Sequence, residues 1–99
     1  MFTKRVKELL ADDAYRVLQV RLMASPEAGD LIEGTGGLRK IRVSANGHGK
    51  RGGAGVIYYH FISRSQIAML YIYGKNEQSD LSSEQRKALK SIIEHWRQA

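Results

Sequence analysis

Between residues 38 and 73 lie three short runs rich in β-branched and aromatic residues: LRKIRV, VIYYHFI and IAMLYIY. Residue types of this kind suit packed strands. Runs this short, separated by glycine-rich or polar turns, predict an antiparallel meander. The flanks carry helical periodicity instead. Phe2, Val6, Leu9 and Leu10 recur at helical spacing, and Asp12 or Asp13 can cap a second helix with Tyr15, Leu18 and Leu22 on one face. Ser25-Pro26 ends that helix, because the proline ring disfavours helical geometry in the residue before it. Gly29 to Gly37 reads as a turn-rich connector and Ser63-Arg64-Ser65-Gln66 as a turn. Near the end, Ser82 and Gln85 have the spacing of a capping box. Leu89, Ile92, Ile93 and Trp96 follow as an apolar stripe, expected to face the core or a partner helix. The order helix, helix, strand, strand, strand, helix is an α+β class, and 99 residues suit one domain spanning 1–99.

The absence of cysteine excludes disulfides, thiolate zinc sites and cysteine nucleophiles. The opening MFTKRVKELLADD runs into charged residues where a secretory signal would turn apolar. VIYYHFI and AMLYIY fall well short of the roughly 20 residues of a membrane helix. A cytoplasmic protein with no membrane association is the expectation.

Charge is the second constraint. The chain carries +6 overall, but from Gly34 to Asn76 there is no Asp or Glu, while Arg39, Lys40, Arg42, Lys50, Arg51, Arg64 and Lys75 supply seven positive charges. The flanks hold nine basic residues against ten acidic ones. All of the excess positive charge thus sits in the predicted sheet and its loops, the electrostatic footprint of a polyanion binder.

Gly47-His48-Gly49-Lys50-Arg51-Gly52 fits the pattern G-x-G-x-x-G. A dinucleotide loop needs a strand before it, a helix opening from it and an acidic residue about 20 positions on. A strand is predicted before it, but VIYYHFI follows, and the next acid is Glu77. A P-loop fails as well, since neither Gly49-Lys50 nor Gly74-Lys75 is followed by Ser or Thr. What remains is a basic, glycine-rich hairpin loop whose backbone can approach a phosphate chain closely.

Strand alternation places Leu38, Lys40 and Arg42 on one face, and Tyr71, Tyr73 and Lys75 on one face of the third strand. Two cations on one strand face are costly to bury, so they are expected at an open surface or groove. If the two faces coincide, the sheet offers Lys40, Arg42, Lys75 and two tyrosines beside Lys50 and Arg51. Phosphates meet Lys and Arg, and unpaired bases stack on aromatic rings, which suits RNA. Each tyrosine taken singly is more often core filler.

The segments GDLIEGTGGLRKIRV, GHGKRGG, VIYYHF and IYGKNEQSDL together make the chain resemble the HigB-like branch of the RelE toxin superfamily, from roughly Phe2 to Trp96. The resemblance implies a small antiparallel sheet packed on two N-terminal helices, with a C-terminal helix. It also implies a toxin of a type II toxin–antitoxin pair that enters the ribosomal A site and cuts mRNA without a metal or other cofactor. Its partners would be the ribosome, mRNA and a cognate antitoxin, with operator DNA reached only through that antitoxin. Metal-free cleavage uses the 2′-hydroxyl as nucleophile and needs a base, cations for the phosphorane and an acid for the leaving oxygen. With no acid in the central segment, Lys, His or Tyr is expected to move the protons. By position in the family pattern, Lys40 and Arg42 would hold the scissile phosphate and Lys75 would close the site. Lys50 and Arg51 would contact flanking RNA, with Tyr71 and Tyr73 as stacking candidates.

Two departures bear on chemistry. His48 stands where the family loop usually has lysine, and could transfer protons near neutral pH. Gly55 stands where the family usually has arginine. Losing one such transition-state cation costs on the order of hundredfold in rate. A third departure is that relatives usually begin with a short strand ahead of the first helix, whereas this chain opens at Met1-Phe2, about where that helix is expected. His60 is expected to be structural and His95 exposed. Besides the nuclease, two further readings stand: a catalytically impaired RNA- or ribosome-binding relative, and a gyrase poison of the ParE branch.

Overall fold

The computed structural model describes residues 10, 12–43, 53–62, 66–75, 77–78 and 80–98, the last two as backbone only. Among these, the elements run α1 (Asp12–Ala24), β1 (Asp30–Leu31), β2 (Arg39–Val43), β3 (Ala54–Phe61), β4 (Gln66–Gly74) and α2 (Ser83–Gln98). The strands form one sheet in the order β1-β2-β3-β4, antiparallel at every junction. The predicted meander is therefore present with one strand more than expected. Asp30 and Leu31, read as connector, pair with Lys40 and Arg39. Two residues are too few for any periodicity to announce. Of the predicted first helix, Phe2, Val6 and Leu9 lie outside the described residues, while Leu10 is described and buried; of the predicted turn, residues 63–65 lie outside them and Gln66 opens β4.

The two described helices cover opposite faces of the sheet. On one face Leu18 and Leu22 of α1 join Ile41, Val56, Tyr58 and Ile72 in a buried cluster. On the other, Leu89 and Ile93 of α2 join Leu38, Ile57 and Tyr73. The alternation of Val56 and Ile57 between the two clusters is the strand's period of two expressed as packing. Ala54 to Tyr58 are buried without a break, because β3 is the strand with cover on both sides. The sheet thus carries α1 on one face and the expected C-terminal helix on the other, where the resemblance implied a sheet packed on two N-terminal helices.

Local chemistry explains the ends of these elements. The Ser82 hydroxyl accepts from the Gln85 amide N–H at 3.1 Å, and the Gln85 side-chain oxygen accepts from the Ser82 N–H at 3.0 Å. This is the predicted capping box, satisfying two backbone donors that a helix start leaves open. The turn between β1 and β2 uses Gly34, Gly36 and Gly37 at φ of 73°, 79° and 121°, where side chains are disfavoured. Thr35, inside that turn, is buried and donates its hydroxyl to the Ile32 carbonyl. The C-terminal stripe divides: Leu89 and Ile93 are buried, whereas Ile92 and Trp96 are 40% and 37% exposed. Trp96 stands against Phe61, the ring centroids 5.6 Å apart.

Among the described residues no helix is long and apolar enough to cross a membrane.

Candidate functional site

Strand register brings the predicted cations to one place. Arg42 pairs with Gly55, and Gly55 with Tyr73; two rungs along, Lys40 pairs with Ile57, and Ile57 with Tyr71. Directly paired residues point to the same side of a sheet. The two faces separated on the sequence therefore coincide. Lys40, Arg42, Gly55, Tyr73, Lys75 and Asp30 line one concave pocket of about 240 Å³. It opens on the face that α2 covers elsewhere, beside the turn leading into that helix.

Each cation is held differently. Lys40, at 34% side-chain exposure, donates to the Asp80 carboxylate at 3.1 Å. Arg42, near the end of β2, is exposed and lines the pocket. Lys75 follows β4, where its amide N–H donates to the Gly53 carbonyl at 2.8 Å. Arg39, on the opposite face, serves structure instead: its Nη1 donates to the carbonyls of Gly29 at 2.7 Å and Glu27 at 3.3 Å.

Tyr73 is 1% exposed and packs with Leu38, Ile57, Leu81, Leu89 and Ile93. Its hydroxyl end lies over Gly55, where a Cβ would stand 2.5 Å from Cζ and 2.6 Å from Oη. A ring so enclosed offers no free face for a base to stack on. Burial pushes the phenol above its ordinary value; Asp80 and Tyr71 act in the same direction, and Lys40 and Arg42 oppose it. At neutral pH Tyr73 is thus a protonated donor. Tyr71 is half-buried and belongs to a closed ring of hydrogen bonds. Its hydroxyl donates to Gln78 Oε1 at 3.4 Å, Gln78 Nε2 donates to Gln85 Oε1 at 2.9 Å, and Gln85 Nε2 donates to the Tyr71 hydroxyl at 2.9 Å. That ring ties β4, the turn after it and the start of α2 into one unit.

Two carboxylates reach this basic surface from outside the acid-free segment. Asp80 accepts from Lys40 and from the Leu81 amide at 2.8 Å, and forms an ion pair with Arg86 at 3.6 Å. The Leu81 N–H and then the Lys40 ammonium hold its carboxyl below the usual range, against a smaller opposing effect of burial. Asp30 lines the pocket itself, since it is the register partner of Lys40. Sequence reasoning missed both. The run DL in NEQSDL and the D of GDL carry no motif of their own, and only the added strand brings Asp30 beside Lys40. His48, Lys50 and Arg51 lie outside the described residues. His60 is half-buried on β3 and lines a separate apolar groove under α1, and His95 is exposed. Among the described residues, no group of three or more His, Asp or Glu is arranged to hold a metal ion.

The pocket can therefore bind an anion through three cations, donate through a buried phenol and accept a proton at a carboxylate. Over residues 4–99 the chain matches the family described as the RelE toxin of the RelE / RelB toxin-antitoxin system. That match covers nearly the whole chain and carries with it the expectation of a cognate antitoxin. The protein belongs to the RelE toxin family.

Proposed function

We propose that this toxin is a ribosome-dependent mRNA endoribonuclease of the HigB-like branch, acting in the ribosomal A site on a message held there. The observation that carries the reading is the meeting of Lys40, Arg42 and Lys75 in one pocket with a buried phenol and a carboxylate. Three cations on a concave surface suit a phosphate whose charge grows as a 2′-oxygen attacks it. Lys40 and Arg42 hold the scissile phosphate, and Lys75 closes over it from the end of β4. Lys50, Arg51 and His48, which follow β2 in the sequence, we assign to flanking RNA and, for His48, to proton transfer. Tyr71 and Tyr73 act by shaping the pocket more than by stacking. The reaction breaks the P–O5′ bond as the O2′–P bond forms, leaving a cyclic phosphate and a 5′-hydroxyl. It takes place in the cytoplasm, where the antitoxin silences the toxin and carries the pair to operator DNA.

A second reading rests on Gly55: a catalytically impaired relative that binds the ribosome or RNA, cuts mRNA poorly or not at all, and still binds its antitoxin. No side chain projects from position 55, and the end of Tyr73 fills the space above it. The experiment that separates the readings follows mRNA on programmed ribosomes and on ribosome-free controls. Cleavage confined to programmed ribosomes supports the nuclease. Ribosome binding without cleavage supports the impaired relative, and inhibition of purified gyrase would point to the ParE branch instead.

A further inference from the structure

A metal-free nuclease of this kind needs a proton acceptor beside the attacking 2′-hydroxyl, and the pocket's composition narrows the choice. Lys40, Arg42 and Lys75 are donors, and Tyr73 is a phenol that burial keeps protonated at neutral pH. Asp80 is bound to Lys40, Arg86 and the Leu81 amide, and it stands outside the pocket's lining. Asp30 differs on both counts. Its carboxylate lines the pocket, and among the described residues it has neither a hydrogen bond nor an ion pair at its side chain.

The backbone that presents Asp30 is held from both sides. Tyr58, fully buried, accepts at its hydroxyl from the Gly29 amide at 2.8 Å and donates to the Pro26 carbonyl at 2.8 Å. Arg39 donates to the Gly29 carbonyl at 2.7 Å. A Cβ at Gly29 would meet the Tyr58 hydroxyl at 2.8 Å and the Lys40 carbonyl at 2.9 Å, so only glycine allows this approach. The residue before the two-residue strand is thereby held at both its N–H and its carbonyl, and register sets Asp30 beside Lys40. Such anchoring of a polar side chain on rigid backbone is what a catalytic group requires.

We propose that Asp30 is the general base of the cleavage reaction, an inference that rests on the nuclease reading above. The carboxylate takes the proton of the 2′-hydroxyl as O2′ bonds to phosphorus and the P–O5′ bond breaks. The departing 5′-oxygen takes a proton from an ammonium of the same pocket, and both groups are reset by exchange with water. Lys40 and Arg42 neutralise the phosphorane during the exchange.

The test is single-turnover cleavage on programmed ribosomes across a pH series, for the parent chain, Asp30→Asn, Asp30→Glu and Asp80→Asn. Asp30→Asn is expected to cut at least about a hundredfold more slowly and to lose the rise of rate with pH on the acid side, with ribosome binding retained. Asp30→Glu is expected to recover part of the rate and keep that limb, which a folding defect at Asp30 would not produce. Asp80→Asn is expected to keep the limb. Cleavage by Asp30→Asn at close to the parental rate, with the same acid limb, would overturn the assignment while leaving the nuclease reading intact. If the parent chain does not cut, the nuclease reading falls and this inference falls with it.

Discussion

The hydroxyl end of Tyr73 roofs Gly55 across the β3–β4 pair, so close that a single added carbon at residue 55 would overlap the ring. In this chain the space is closed by a side chain only 1% exposed, wedged against Leu81, Leu89 and Ile93. The pairing of a missing side chain with a covering ring defines the floor of the pocket, and it bears on every substitution made there.

Gly55→Ala is expected to destabilise the protein by about 1–3 kcal/mol, the usual cost of overpacking a well-filled site. The same substitution in a Tyr73→Leu background should cost much less, because the overlapping ring atoms are gone. Denaturant melts of the four proteins give the coupling directly. Equal costs in both backgrounds would show that Tyr73 does not occupy the space.

Gly55→Arg carries the same overlap, so its effect on activity depends on Tyr73 turning aside. If the arginine reaches the pocket, cleavage on ribosomes should rise by up to about a hundredfold, the value of one well-placed cation. A stability loss without a gain in rate would mean that Tyr73 stays and the arginine is turned outward.

Lys40→Ala and Arg42→Ala are each expected to weaken RNA binding and to lower the slope of log affinity against log salt by about 0.7, one phosphate contact each. Arg39→Ala should leave the slope unchanged and lower the melting temperature instead, since its guanidinium is spent on the carbonyls of Glu27 and Gly29. Titrating a short single-stranded RNA at several salt concentrations distinguishes the two behaviours.

Asp80 should make stability depend on pH at the acid end. Its carboxyl is held below its ordinary value in the folded protein, so it contributes stability above the unfolded value, near about 3.9. That contribution is lost as pH falls through the folded value. The groups are exposed at 34% for Lys40 and 45% for Asp80, so the effect is expected to be under about 1 kcal/mol. Asp80→Asn should flatten the acid end of the stability profile measured by urea melts.

Gln85→Ala removes the capping-box acceptor and opens the ring through Tyr71 and Gln78. A loss of about 1–2 kcal/mol is expected, in the range of a helix cap plus one net hydrogen bond. Amide exchange at the start of α2 should accelerate more than exchange in β3.

The sequence made the meander legible because each of its long strands exceeds the length at which β-branched alternation stands out, and the capping box because Ser82 and Gln85 act within one turn. The coincidence of the Lys40–Arg42 and Tyr71–Tyr73 faces was legible only as a condition, since register is set by the whole sheet. Three things were hidden. Strand β1 has two residues and no periodicity. Asp30 lies ten positions from Lys40 in sequence, and its approach depends on the glycine turn and on Tyr58 clamping Gly29. Tyr73 looked like a stacking platform on the strand alternation, but α2 covers the same face and buries it. An acid-free stretch of sequence, finally, did not make an acid-free site, because neighbouring elements supplied Asp30 to the pocket and Asp80 to the Lys40 ammonium beside it.

The most direct test of the central claim is mapping of mRNA 5′ ends after incubation with programmed ribosomes, for the parent chain and for Lys40→Ala/Arg42→Ala. The account predicts new ends at the A-site codon with the parent chain, none without ribosomes, and none with the double variant. Undiminished cleavage by the double variant, or cleavage of ribosome-free RNA at the same positions, would contradict it.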